Sequence, residues 1–407
     1  MNDRFAIGSV GIARKHSAFP RLLLVLAAAC TLAACGDNDA FSPAPKPLTS
    51  AEILQPGPFG IGVTTMTFED TSRPTMPNGT FPGSPTRVLV TEIWYPAAPG
   101  AGAQGKEQRD ATLARDGAPY PLVVYGHGLS GTRTSGAYLA RHLASHGFIF
   151  AAPVFPLTRS GAPGGANAVD VVEQPADVRF LNSQLLALDG DPTSRLFAGI
   201  DHERLGVTGL SLGGLTAYMV TFHPTLRDPR VRAAAPLAGN ACFLSHGFFA
   251  DTAVPLFIVQ GDLDAELPYQ GHSLFAFEQA NAPKWLVTIA NGSHLGFGDI
   301  TCPGLLENMN NPDDLACAVV GVPGGDYYPA VVEGLGGSAV GLVMGNCQNC
   351  PARPPFQRSI RPCRQHDLTI LSVYPFFDAT LRGNQAAQRF LEHTLAAENP
   401  ELTVARQ

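Results

Sequence analysis

Arg204-Leu205-Gly206-Val207-Thr208-Gly209-Leu210-Ser211-Leu212-Gly213-Gly214 constrains this chain more than any other segment. A short β-branched run breaks into Gly-x-Ser-x-Gly and continues as a helix-compatible stretch. That is the pattern of a strand turning sharply into a helix with Ser211 at the turn. Gly209 and Gly213 suit a place where neighbouring chain passes too close for a Cβ. A glycine-rich strand-to-helix turn without chemistry carries the same letters, so the motif must be weighed with what lies downstream.

A serine hydroxyl is inert at neutral pH unless a base takes its proton and a carboxylate holds the base. Residues 254–261 read as a buried strand running into Asp262-Leu263-Asp264-Ala265-Glu266-Leu267-Pro268. Residues 285–290 form another strand pattern, followed by Asn291-Gly292-Ser293-His294. Each candidate lies just past the C-terminal end of a strand, where loops of a parallel α/β sheet gather into sites. The expected set is Ser211 as nucleophile, His294 as base and Asp264 as acid, with Asp262 as the alternative acid. Residues 121–131 supply a strand ending in a glycine-lined loop. The backbone amides of Leu129 in that loop and of Leu212 after the serine are expected to hold an oxyanion. His127 reads as a residue that shapes the loop. The chain order Ser, Asp, His is that of the α/β-hydrolases.

Three further segments are similar to known families. Gly126-His127-Gly128-Leu129-Ser130-Gly131-Thr132-Arg133-Thr134, Leu143-Ala144-Ser145-His146-Gly147-Phe148-Ile149-Phe150-Ala151-Ala152-Pro153 and Gln174-Pro175-Ala176-Asp177-Val178-Arg179-Phe180 accompany the elbow. Together they resemble the platelet-activating-factor acetylhydrolase and dienelactone-hydrolase-like branch of the α/β-hydrolases, over roughly residues 58 to 299 and the last helix. Gly261-Asp262-Leu263-Asp264 with Pro268 resembles the acid loop of bacterial cutinases and polyester hydrolases, which implies Asp264 as the acid. Two features depart from the pattern. The acetylhydrolases take their acid from the preceding loop, here Pro236-Leu237-Ala238-Gly239-Asn240-Ala241-Cys242 without a carboxylate, so their substrate preference does not carry over. Many relatives also have His where this chain has Leu210. The resemblance implies an α/β-hydrolase fold with a doubly wound, mostly parallel sheet. It further implies a carboxylic ester hydrolase acting on a small-molecule or lipid ester through an acyl-enzyme, with no metal and no organic cofactor. A dienelactone-type or polyester hydrolase is one competing reading. A non-catalytic envelope lipoprotein using the fold as a binding module is the other.

The N-terminus bears on location. Arg14, Lys15 and Arg21 precede Leu22-Leu23-Leu24-Val25-Leu26-Ala27-Ala28-Ala29-Cys30-Thr31-Leu32-Ala33-Ala34-Cys35. This is a charged region, a short apolar stretch and a small-residue cleavage site, too short for a comfortable membrane span. Leu32-Ala33-Ala34-Cys35 resembles a bacterial lipobox, which implies that residues 1–34 are a signal peptide and that Cys35 carries lipid. Gly36 after it implies the outer membrane, facing periplasm or exterior; an ordinary signal peptide is the alternative. Residues 35–57, with Ser42-Pro43-Ala44-Pro45-Lys46-Pro47, read as a tether. The net charge of −7 without a basic cluster argues against a nucleic-acid partner.

The catalytic core is expected over 58–300 and again over 363–407, with an inserted cap over 301–362. Strands are expected near 61–68, 87–95, 121–125, 148–152 and 231–237. Helices are expected near 134–146, 174–188, 270–281 and 384–398. Trp94 and Trp285 read as core packing, and His142, His223 and His272 as surface or packing residues. The Pro, Gly and Ala-rich stretch 153–173 is expected to form a mobile wall of the site. A structureless loop as long as 301–362 is unusual inside a compact domain, hence the cap. Beyond Cys30 and Cys35, six cysteines remain: Cys242, Cys302, Cys317, Cys347, Cys350 and Cys363. An even number in an exported protein suggests disulfides, with no pairing assignable. A zinc site is the rival, since Cys347-x2-Cys350 and Cys363-x2-His366 have zinc-like spacing.

Overall fold

Strands buried on both faces need no polar alternation, and Leu256-Phe257-Ile258-Val259-Gln260-Gly261 is buried throughout. The computed structural model describes residues 47–98, 106–320 and 327–407. The expected signal peptide over 1–34, the expected lipid at Cys35 and the first part of the expected tether fall on residues outside those described.

The strands are β1 (Gly60–Asp70), β2 (Arg87–Ala97), β3 (Glu107–Arg109), β4 (Tyr120–Gly126), β5 (Ile149–Val154), β6 (Ile200–Leu210), β7 (Val231–Leu237), β8 (Leu256–Gly261), β9 (Lys284–Ile289) and β10 (Leu402–Arg406). The helices are α1 (Ser50–Ile53), α2 (Ala137–Ser145), α3 (Gln174–Asp189), α4 (Leu212–Phe222), α5 (His246–Phe249), α6 (Phe275–Gln279), α7 (Asp313–Val320), α8 (Tyr328–Gly334), α9 (Pro362–Arg382), α10 (Gln385–Arg389) and α11 (Leu395–Glu398). All ten strands join one sheet, in the order β10-β9-β8-β7-β6-β4-β5-β2-β1-β3. From β5 to β9 the neighbours run parallel. β1, β2 and β10 pair antiparallel toward the edges. The order reverses around β4, which has β5 on one side and β6 on the other, and this switch point opens a crevice at the carboxyl ends of the strands.

Alternation along the strands feeds two layers. Leu122, Val124, Val207 and Ile258 pack on one face with Leu181, Leu185, Leu215 and Met219 of α3 and α4. Val123, Tyr125, Phe257 and Val259 pack on the other with Leu139 and Leu143 of α2 and Leu371 and Phe376 of α9. Each such buried side chain contributes about 1.5–3 kcal/mol relative to exposure. Trp94 is 1% exposed, as expected of core. Trp285 is half-buried against Phe257 and Phe376. His142, His223 and His272 are all buried, so the surface alternative fails for each.

A buried charge cluster fixes α3 to the sheet. Arg87, fully buried in β2, donates to both carboxylate oxygens of Asp170 and of Asp177 at 2.7–3.0 Å. Arg73 adds a 2.7 Å bond to Asp177. Within the stretch 153–173, the Asn78 amide donates to the Pro163 and Gly165 carbonyls and a 3-10 turn spans Ala168–Glu173.

Several elements differ from expectation. Residues 49–53, expected within a tether, pack on the fold: Thr49 caps α1, Ile53 is buried, and the Asn399 amide donates to the Ser50 hydroxyl at 2.8 Å. The helix α9 was not foreseen. Its buried face includes Gln365, Thr369 and Ser372, which hide the apolar period, while the Thr369 and Ser372 hydroxyls bond back to the Gln365 and Leu368 carbonyls. The expected final helix is α10 and α11 joined by a π turn at Phe390–Thr394, and β10 completes the sheet edge beyond it.

The segment after His294 carries α7 and α8 and a return strap. Disulfides join Cys242 to Cys347, Cys302 to Cys363 and Cys317 to Cys350. This overturns the zinc reading, because the four proposed ligands are consumed or occupied. Cys347, Cys350 and Cys363 belong to three different disulfides, and His366 stacks on Tyr138 with centroids 3.8 Å apart. The return strap bonds to the core through Cys350 N–H to the Glu266 carbonyl and Ile360 N–H to the Asn291 carbonyl.

Candidate active site

The sharp turn between β6 and α4 is built by close backbone packing. Ser211 sits at φ 59°, ψ −117°, a left-handed conformation that costs of order 1–3 kcal/mol for a non-glycine residue. A Cβ on Gly213 would lie 1.9 Å from the Gly126 carbonyl oxygen, so glycine is required where the elbow crosses β4. Ser211 N–H donates to the Leu237 carbonyl of β7, and the Ser211 carbonyl accepts from Leu215 N–H, holding the strained residue from both sides. The side chain is half-buried at the carboxyl edge of the sheet.

The loop after β4 runs beside it. A Cβ on Gly128 would stand 3.2 Å from the Ser211 Cβ and 3.8 Å from its Oγ. His127 is fully buried: its Nδ1 lies 2.8 Å from the Gly128 carbonyl and its Nε2 accepts from Phe155 N–H at 3.0 Å. Burial pushes its pKa down to about 4, so the ring is neutral and acts as a brace for the loop. Ser130 N–H is taken by the Thr158 carbonyl, which leaves exposed Leu129 at the loop crest. Leu212 opens α4, where the first-turn amides have no intrahelical acceptor.

The two aspartates of the acid loop part ways. Asp262 is exposed, and its Oδ1 accepts Asn291 N–H at 2.6 Å, tying the ends of β8 and β9 together. Asp264 is buried, and its Oδ2 lies 2.8 Å from His294 Nδ1. Its Oδ1 accepts Leu267 N–H at 2.7 Å and its Oδ2 also accepts the Gln260 amide at 3.0 Å. The carboxylate facing the imidazole is therefore Asp264. His294 is 2% exposed.

Two carboxyl groups that the sequence did not single out also lie against His294. Glu266 Oε2 is 3.7 Å from His294 Nε2, and Asp313 accepts His294 N–H at 2.9 Å. Burial opposes a charge on His294, yet Asp264, Glu266 and Asp313 outweigh it and push its pKa up to about 10. Burial pushes Glu266 up to about 7 against the pull of His294. Burial and the Asp264 charge push Asp313 up to about 6. Glu266 stands two residues from Asp264 and was legible as a neighbour; nothing in the local sequence marks Asp313.

On the far side of the elbow, Asn240 N–H approaches the Ser211 carbonyl at 3.4 Å. The Asn240 amide donates to the hydroxyls of Tyr327 and Tyr328 at 2.9 and 2.8 Å, and Asn349 closes the ring of bonds. Asn240 thereby ties the loop after β7 to the start of α8.

Residues 115–301 match a family model described as PET hydrolase-like. The chain is 30% identical over 173 residues to cutinase est1 of Thermobifida alba, covering 42% of this chain and 52% of that protein. It is 24% identical over 226 residues to the platelet-activating factor acetylhydrolase of Canis lupus familiaris, covering 46% and 50%. The chain thus spans about half the length of these curated relatives. A ferulic acid esterase structure from Streptomyces cinnamoneus superposes with a TM-score of 0.53 at 21% identity, covering 87% of this chain and 99% of that one.

Proposed function

We propose that this α/β-hydrolase, related to the cutinases and polyester hydrolases, is a serine carboxylic ester hydrolase. The observation that carries the reading is the buried Asp264–His294 pair at 2.8 Å, on the same sheet edge as the strained Ser211 elbow. Ser211 Oγ attacks the ester carbonyl while His294 Nε2 takes its proton, and Asp264 holds Nδ1 and stabilises the imidazolium. The Leu129 and Leu212 amides receive the oxyanion; one such donor is worth roughly 3–4 kcal/mol of barrier. The tetrahedral intermediate collapses as Nε2 returns the proton to the leaving alkoxide, leaving an acyl-serine and a free alcohol. Water then attacks the acyl-serine with His294 again as base, releasing the acid and regenerating Ser211. Cutinase and polyester hydrolase relatives make polyesters and short acyl esters the substrates to test first.

A fluorophosphonate probe tests the assignment. Labelling that maps to Ser211 and disappears in Ser211→Ala, together with hydrolysis of short acyl esters, supports it; a folded protein that neither labels nor hydrolyses refutes it. For location, we read Leu32-Ala33-Ala34-Cys35 as a lipobox that anchors the chain in the cell envelope. Cys35→Ser should release the protein from the membrane fraction or block its maturation, and unchanged fractionation would refute the anchor.

A further inference from the structure

The insertion after His294 sends one side chain into the heart of the site. Asp313, the first residue of α7, is completely buried. Its Oδ2 accepts Ala265 N–H at 3.0 Å and His294 N–H at 2.9 Å, and its Oδ1 accepts Leu295 N–H at 2.8 Å. Ala265 adjoins the acid Asp264, and His294 is the base itself, so one carboxylate clasps both loops. Asp313 is held in turn: Asn311 Oδ1 accepts its N–H at 3.0 Å, and the Cys317–Cys350 disulfide fastens α7 to the strap, whose Cys350 N–H bonds the Glu266 carbonyl.

We propose that Asp313 is a positioning residue that sets the acid and base loops in register, making the insertion part of the catalytic machinery and not only a cover. The inference rests on the proposed ester hydrolase reading. The geometry argues against a filler role. Three converging amides from two loops need an acceptor with two oxygens, which aspartate supplies and asparagine does not. A third carboxyl beside Asp264 and Glu266 is electrostatically unfavourable, so a group serving packing alone would be better neutral. The groups facing His294 are Asp264 and Glu266 from the acid loop, His272 from the segment after it, and Asp313 from α7. Misplacing a catalytic group by about 1 Å can cost roughly 10²-fold in rate.

The test compares the full-length wild type with Asp313→Asn and Asp313→Glu. Asparagine removes one acceptor oxygen and the charge; glutamate keeps the charge on a longer stem. Asp313→Asn should lower kcat about 10²-fold with KM nearly unchanged, and should move the acid limb of the pH profile to lower pH by removing a negative charge near His294. Asp313→Glu should restore the limb and part of kcat. Hydrogen exchange needs no activity: in Asp313→Asn the amides of residues 262–267 and 291–296 should exchange faster together, while those of 238–242 do not change. Exchange in both loops unchanged from the wild type, or a kcat loss without movement of the limb in a folded variant, overturns the proposal. If Asp313→Asn fails to fold, Asn311→Ala loosens the same carboxylate more gently, and unchanged exchange in that variant overturns it too. A wild type inactive on every ester would sink the functional reading, and the exchange result would still decide the clasp.

Discussion

If the proposed ester hydrolysis holds, Glu266→Gln should speed it at mildly alkaline pH. The general base must be neutral to accept the Ser211 proton, and the Glu266 carboxylate 3.7 Å from His294 Nε2 stabilises the charged form. A charge pair at about 4 Å is worth about 1 kcal/mol in a water-like setting and about 4 kcal/mol at the effective dielectric of a protein near its surface. At about 1.4 kcal/mol per pH unit this lifts the His294 pKa by between about 1 and about 3 units, in the direction of its raised value of about 10. The sign defines a window. Below about pH 7 Glu266 holds its own proton, and the variant and wild type should converge. Above about pH 10 His294 is neutral in both, and they converge again. Between these limits the wild type traps a proton on His294 and the glutamine variant does not, so kcat/KM at pH 8 should rise about 10-fold or more. The assay is pH-stat titration of acid released from a short acyl ester between pH 5 and 10.5, with Ser211→Ala in the same background as control. Superimposable profiles, or a limb moving to higher pH in the variant, would refute the assigned coupling.

The remaining predictions address the acid, the elbow and the buried charge cluster. Asp264→Asn should lose about 10³-fold or more in kcat, because the imidazole then meets the wrong hydrogen-bond partner, whereas Asp262→Asn should cost under about 10-fold; the reverse ranking in steady-state kinetics would move the acid. Gly213→Ala should yield little soluble enzyme, since its Cβ would stand 1.9 Å from the Gly126 oxygen, and a wild-type melting curve would show that the elbow can relax. Arg87→Met strands the carboxylates of Asp170 and Asp177 in the core and should lower unfolding free energy by about 3–5 kcal/mol in urea titration. Adding Asp170→Asn should recover part of that loss.

Much of this protein was legible without coordinates, because its evidence is local. The strands β4, β6, β7, β8 and β9 announce themselves as short apolar runs, and a strand-to-helix turn with glycines on both sides of a serine has few other structural solutions. Ser211, His294 and the pair Asp262 and Asp264 follow from their places after strand ends. The fate of each aspartate did not follow, since two carboxylates two residues apart face opposite ways depending on how the loop folds back on β9. Residues that act across long chain separations were invisible for the same reason. Asp313 reaches Ala265 and His294, and Cys242 reaches Cys347 across 105 residues, by contacts that no local pattern encodes. The helix α9 was hidden because buried Gln365, Thr369 and Ser372 interrupt its apolar period; the two hydroxyls bond to the helix's own backbone and the Gln365 amide to Ser293. Sequence therefore determined the sheet, the elbow and the candidate reacting groups through near-neighbour sterics and hydrophobic period. Only the tertiary structure decided which carboxylates surround His294, because burial and electrostatic coupling are properties of distance in space.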